Sequence, residues 1–437
     1  MKPAVLTVPA EASAPRPPSH PLGGRRAWTV WGVAALAYLI AFFHRTSLGV
    51  ASLAAQQRFG VGATALSMFV ILQLGVYLVM QIPGGLMADR FGPRRMIGAA
   101  LVIMALGEAV FAFASSMPLA ITGRVLVGLG DAMTFLNLIR LIAAWFPRRR
   151  FALLTAMTAM IGSLGQVVGT VPLSAGLHAY GWTKTFLGIS VISAAMAVVV
   201  WLWVRNHPGA PVERSISLSE SGAESKKGSA LADIRAVFGT RGTRTGLWTH
   251  FTLSSFTVLA TLWGYPYLVK GLGMAPGAAR LILTLGAATP MVAAPLLGWF
   301  AGRRPDLRGR LIISTVITLA VAWLVAITWP GGHLPAPLAL LLFLINAVGS
   351  AASMLAFDLA RDANPPERGG LASGIVNLGG FSLTITGLLT AGVLLDATGD
   401  GGYGPVAFQV AFIPITGLVV IGAVRVTLLL RRSRRSH

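Results

Sequence analysis

The chain of 437 residues contains no cysteine, which excludes disulfides and thiolate metal sites. It is also poor in charge: only 11% of its residues are Asp, Glu, Lys or Arg, against about a quarter in soluble proteins. Acid is the scarcer sign, with 14 Asp and Glu beside 35 Lys and Arg, for a net charge of +21. In a polar chain that excess would point to nucleic acid; here the basic residues have to be located first. The seven histidines are scattered without metal-ligand spacing. The sequence has no Walker lysine motif, Asp-x-Asp cluster or nucleophile elbow, so ATP-driven transport and membrane-enzyme chemistry lack their machinery.

What the chain does have is apolar length. It is 55% hydrophobic, with 51 glycines and a mean hydropathy of +0.73. A bilayer core about 30 Å thick needs about 20 mostly apolar residues to cross it as a helix. Twelve such stretches fall at about 27–55, 64–87, 96–115, 119–146, 151–177, 183–204, 245–270, 276–301, 311–329, 336–361, 369–396 and 405–430. The expected organisation is a flexible tail at 1–26, with Pro3, Pro9, Pro15, Pro17, Pro18 and Pro21, then a six-helix bundle at 27–204. A polar linker at 205–244 leads to a second bundle at 245–430 and a basic tail at 431–437. Within the linker Leu231, Ile234 and Phe238 recur at helical spacing, as in a short helix on the membrane surface.

With the amino terminus inside, 27 of the 35 Lys and Arg fall in the tails and turns of the inner side. Four, Arg58, Lys184, Lys270 and Arg280, fall outside, and Arg45, Arg124, Arg140 and Arg425 lie within spans. That asymmetry places both termini in the cytoplasm and turns the basic excess into a topology signal. Nucleic acid is thereby discounted as a partner.

The turn after the second span reads GGLMADRFGPRR, Gly84–Arg95. It resembles the signature of the major facilitator superfamily, matching at Gly85, Asp89, Arg90, Gly92, Arg94 and Arg95. The resemblance covers roughly 27–430. It implies an all-α membrane fold of twelve transmembrane helices in two pseudo-symmetric six-helix bundles, with no enzymatic activity and no cofactor. A proton or ion gradient would supply the energy. Gly85, Asp89, Arg90, Gly92 and Arg94 would gate the inner face, since small residues let helices cross closely and arginines pair with carboxylates at neighbouring helix ends. The matching turn of the second half, Gly298–Arg310, keeps the glycine and the basic cluster but has Gly302 where Asp89 would align. The halves are thus a diverged repeat.

The fourth span reads Arg124-VLV-Gly128-L-Gly130-Asp131, similar to the superfamily's Arg-x-x-x-Gly-x-Gly pattern. Arg124 and Asp131, seven apart, share a helix face, and charges at this depth must pair or face water. They are read either as a proton-coupling pair or as a structural ion pair, with Glu108 of the third span as a second coupling carboxylate. In the first span Tyr38, Phe42, Arg45 and Gly49 form one stripe. This segment resembles the anion-handling branches of the superfamily, in which the arginine meets a carboxylate or phosphate. Arg45 would contact the anion, or else pair internally with Asp131 or Asp358. His44 stands where many of those symporters have an acid; it either joins proton coupling and the site or packs.

Gln73, Asn137, Gln166, Asn346, Asp358 and Asn377 either line the cavity or bond between helices. Trp263-Gly264-Tyr265-Pro266-Tyr267 in the seventh span reads equally as a hinged gate or an aromatic belt. The fifth span lacks the Gly-Pro-x-x-Gly-Gly ending of many drug/proton antiporters, with Thr170 following Gly169. The expected function is proton-coupled uptake of a small anion by a monomer in the inner membrane. Efflux of a drug-like or metabolite substrate is the alternative within the class, and a transporter-like receptor or sensor is the alternative outside it.

Overall fold

A computed structural model describes residues 22–208, 230–365, 368–398 and 403–433. These residues form helices joined by short turns, with no strand among them. The first rod, Arg25–Phe59, ends at Gly60, whose φ of 59° is the left-handed cap that lets a helix stop sharply. The second rod is Ala63–Val79 continued by Gln81–Phe91. Gly92, with φ 77°, turns the chain into the third, Pro93–Phe113, which opens on the proline that suits a first helical turn. The fourth is Met117–Ala132 continued by Thr134–Trp145. The run Arg148–Trp203 holds the fifth and sixth, parted at Gly181, where φ is 74°.

The surface helix expected from Leu231, Ile234 and Phe238 is present at Ala230–Gly239. It is docked on protein: Val237 packs with Ala356, Ala360 and Ala372 of the second half. The seventh rod is broken into Arg241–Leu253, Ser255–Val258, a wide π turn at Leu259–Trp263, Gly264–Pro266, and a second π turn at Tyr267–Gly271. Proline at 266 removes a backbone donor, and the wide turns absorb the mismatch. The remaining rods are Pro276–Arg303, Pro305–Thr328, Ala336–Ala352 continued by Leu355–Asp362, Gly369–Thr398, and Pro405–Ser433.

By length and composition, nine helices among the described residues are able to cross a membrane, one of them being the double run of the fifth and sixth rods. The second rod is apolar but shorter, and the seventh is interrupted. The surface is inverted relative to a soluble protein: Trp201, Trp203, Val191, Leu296 and Trp299 face outward, while His44, Glu108 and Arg124 are fully buried.

Within the lipid-facing shell the rods approach through missing side chains. A Cβ on Gly107 would lie 2.8 Å from the Gly123 carbonyl oxygen, and one on Gly123 would lie 2.7 Å from that of Gly107. Gly128 and Gly130 of the fourth span serve the same end, against the backbones of Gln73 and Ala100.

The two sets of six rods meet at the ends away from the termini. Gln56 donates to the Tyr403 hydroxyl oxygen at 2.7 Å. Asp396 accepts from the backbone N–H groups of Ala63 and Thr64 at 2.6 and 2.9 Å. Ser67 donates to the Leu388 carbonyl, and Arg280 to Ser174. Gly49 abuts the backbone of Ala260 and Thr261. Between this far face and the face that carries the termini lies a cavity.

Candidate functional site

The cavity has a volume of about 250 Å³, on the scale of small-molecule sites, which start at about 300 Å³. Both halves line it: Phe42, Arg45, Tyr77 and Gln166 from the first, and His250, Ser254, Ser353 and Asn377 from the second. Arg45 is the only Lys, Arg, Asp or Glu among the described lining residues.

Arg45 is held rigidly. Its Nε and Nη2 donate to the two carboxylate oxygens of Asp131 at 2.7 and 2.9 Å, the planar fork that suits a guanidinium to a carboxylate. Its charge lies 4.9 Å from the Phe42 ring centre and 4.6 Å from that of Tyr77, a distance at which the ring faces attract it. Tyr77 in turn stacks on Phe381 of the other half at 5.9 Å. Arg45 keeps 18% of its side chain exposed, while Asp131 is buried behind it. An incoming anion therefore reaches Arg45 before it reaches Asp131.

Behind this pair lies a second, sealed layer. Arg124 donates to the Gln73 side-chain oxygen, to the His44 carbonyl at 3.1 Å and to Ser47 at 3.3 Å. It also stands 3.8 Å from Glu108. His44 is bonded through Nδ1 to Glu108 at 2.8 Å and through Nε2 to Ser193 at 2.6 Å. The cluster thus sets two guanidinium groups, of Arg45 and Arg124, against two carboxylates, of Asp131 and Glu108.

The expected site residues thus separate. Arg45, Gln166 and Asn377 line the cavity. Tyr38 is buried against Phe42 and Phe135. His44 points into the sealed layer, because its ring fits between Glu108 and Ser193. Asn137 bonds the Met133 carbonyl of its own helix. Asn346 is consumed by Ser255, Trp323 and Leu342, so it ties helices together. Asp358 pairs with Arg361 three residues on, half exposed, and is not the partner of Arg45. Arg124 and Asp131 belong to neighbouring layers of one cluster, each with its own partner.

Of the gate residues, Arg94 donates from its backbone to Asn206 at 2.9 Å and from its side chain to the Trp201 carbonyl, within its own half. A Cβ on Gly92 would meet the Asn206 amide. Arg90 lies over Phe91. The surroundings of Gly85 and the side chain of Asp89 fall outside the described residues. Sequence reasoning missed Tyr77 and His250. Neither is singled out by spacing: Tyr77 falls in an unbroken apolar run and His250 among Thr and Ser.

Two bundles of membrane-length helices around a shared cavity, with the buried charge turned toward it, define a membrane transporter of the two-half type. The family model for the Major Facilitator Superfamily matches residues 34–264 and 249–437; the chain belongs to that family. The Probable galactarate/D-glucarate transporter GudP of Bacillus subtilis (strain 168) is 23% identical over 416 residues, covering 86% of this chain and 88% of the relative. A Putative tartrate transporter of Agrobacterium vitis is 25% identical over 426 residues, covering 91% and 88%. Among solved structures, a bacterial homolog of the human lysosomal transporter Spinster, inward-facing and unoccupied, superposes with a TM-score of 0.75. It is 15% identical, covers 94% of this chain and 98% of that one, and shares the fold.

Proposed function

We propose that this transporter takes up a small organic or inorganic anion together with a proton, across the inner membrane, with both termini in the cytoplasm. The observation that carries the reading is the Arg45 guanidinium forked on Asp131 at the wall of a cavity that holds no other formal charge among its described lining residues. The buried cluster sets two guanidinium groups against two carboxylates. An anion entering alone would leave one uncompensated charge in a low-dielectric site, at a cost of several kcal/mol. An anion entering with a proton leaves none.

The geometry supports an exchange at Arg45. The anion takes the two donors of Arg45 from the cavity side. Asp131, left buried without its partner, takes the proton, because an unpaired buried charge is costly. Arg124, held by Gln73 and Glu108, fixes the fourth helix and the His44–Glu108 layer behind it. The loaded site is then neutral, and the halves rock to close the terminal face and open the far face, or the reverse. Asp89, Arg90 and Arg94, with Gly85 and Gly92, latch the inner face when it closes. A proton gradient is the only energy source required, and one chain holds the whole cavity, so the monomer is the working unit. The relatives named for galactarate, glucarate and tartrate support an anionic cargo, and the crowding of Lys and Arg toward the terminal face supports the orientation.

The test is a thermal-shift screen of the purified protein against anionic metabolites, followed by uptake of the best ligand into proteoliposomes. Arg45→Lys retains the charge but not the fork, and uptake should fall at least tenfold. Uptake equal to wild type in Arg45→Lys would remove the anion-contact assignment.

A further inference from the structure

Among the arginines that lie within spans, Arg425 takes no part in the cavity or in the cluster beside it. It stands exposed on the outward face of the twelfth rod, between Ile421, Val424 and Leu428, each about half exposed. At a rise of about 1.5 Å per residue it lies about 9 Å deeper than Arg431, where the basic tail begins. A charge facing hydrocarbon at this depth is costly unless an opposite charge meets it. Among the described residues no carboxylate does. Asp233, Asp358 and Asp362, toward the terminal face of the same half, are taken by Arg368, Arg361 and Arg308.

The contact that Arg425 does make is with the seventh rod: its guanidinium lies 5.6 Å from the Trp248 ring centre. Trp248 is seven residues, or about 10 Å, along that rod from Arg241, so the ring and the guanidinium share a depth. Arg244, four residues nearer the terminal face and exposed, lies on the same side of the rod as Trp248. It too has no acid among the described residues. Below Arg425, Gly422 packs against Thr252 and Phe251, so the two rods touch there. The result is a groove, open to lipid, with two unmatched guanidinium groups, an aromatic wall and apolar flanks.

We infer that this groove holds the headgroup of an anionic phospholipid from the leaflet at the terminal face. The phosphate accepts from the guanidinium groups of Arg425 and Arg244, which suit its oxygens, and Trp248 holds Arg425 in place. The acyl chains lie over Ile421 and Val424. A zwitterionic headgroup carries its own cation and answers two arginines less well. A free phosphate fits the charge but not the place, since it would have to leave water for the edge of the hydrocarbon. A headgroup bound here bridges two rods, one of which carries His250 and Ser254 of the cavity wall.

The test exploits the absence of cysteine. Leu428→Cys, beside Arg425 and three residues short of Arg431, carries a fluorophore in the purified full-length protein, reconstituted in phosphatidylcholine. Leu202→Cys, equally outward-facing and three residues short of Arg205, is the control at matched depth on the sixth rod. Each is quenched by a minor share of spin-labelled phosphatidylglycerol or, separately, spin-labelled phosphatidylcholine. Phosphatidylglycerol should be preferred about fivefold more strongly at Leu428→Cys than at Leu202→Cys. Adding Arg425→Gln should bring the first value down to the second. Equal preference at the two positions would reflect only the general attraction of a basic face and would overturn the site, whether or not the arginine variant folds. A preference that survives Arg425→Gln would overturn the assignment to Arg425. Its loss on adding inorganic phosphate would make a free anion the occupant and overturn the lipid.

Discussion

Removing the Asp396 carboxylate should loosen the far face by a predictable amount. Asp396, near the end of the eleventh rod, accepts from two free backbone N–H groups at the start of the second rod, 2.6 and 2.9 Å away. The acceptor and the donors belong to opposite halves, so the contact exists only while that face is closed. Hydrogen bonds to a charged group contribute about 1.5–3 kcal/mol each when buried, and a carboxylate at a helix N-terminus adds about 0.3–1 kcal/mol. Asp396 is largely exposed, so water replaces much of this and about 2 kcal/mol in all is a reasonable figure. Asp396→Ala should therefore move the balance between the two conformations about 30-fold toward far-face opening, and Asp396→Asn, which keeps one acceptor, about fivefold. The absence of cysteine gives a clean assay. A single cysteine at Thr257, on the cavity wall, is labelled by an impermeant maleimide added at the far face of sealed vesicles. The wild-type background should react slowly, and Asp396→Ala about 30 times faster. Equal rates in all three backgrounds would refute the assignment of Asp396 as a cross-half latch.

The other expectations concern the cluster, the packing and pH. Arg124→Gln leaves Glu108 and Gln73 without their buried partner and should destabilise the purified protein by about 3–5 kcal/mol, read as a large loss of melting temperature. Asp358→Asn breaks only an exposed pair with Arg361 and should change stability by less than about 1 kcal/mol in the same measurement. Gly107→Ala drives a methyl group into the Gly123 carbonyl and should cost about 1–3 kcal/mol by thermal melting. Burial, and then the nearby charge of Asp396, push the Tyr403 hydroxyl up to about 12. It stays protonated at lower pH, so far-face labelling should be the same at pH 6 and pH 9. A rise in labelling at pH 9 would contradict this.

The rods were legible because crossing a bilayer demands a length of apolar sequence that few other structures need. The pairing of Arg45 was legible for the same reason: a guanidinium in such a run has to find a carboxylate. Of the two carboxylates that could serve, Asp131 and Asp358, the fork with Arg45 selects Asp131. What the sequence withholds is rotation and register. Asn346 and Asn377 are the same residue type in similar apolar runs, yet one is locked between Ser255 and Trp323 and the other faces the cavity. That difference depends on how each rod turns against its neighbours. His44 reads as a neighbour of Arg45, but one step along a helix turns it about 100° away, into the layer of Glu108 and Ser193. His250 sits in a run of Thr and Ser in which no spacing singles it out. The Asp396 latch joins residues more than 300 positions apart, and it appears only when the two halves are set against each other.

In the proposed cycle Asp131 takes the proton when the anion displaces it from Arg45. The direct measurement is accumulation against exchange in proteoliposomes, using the anion that gives the largest thermal shift. With an inward proton gradient the wild type should concentrate the anion, whereas Asp131→Asn, fixed in the neutral form, should lose accumulation and retain anion exchange. Full gradient-driven accumulation by Asp131→Asn would contradict the account.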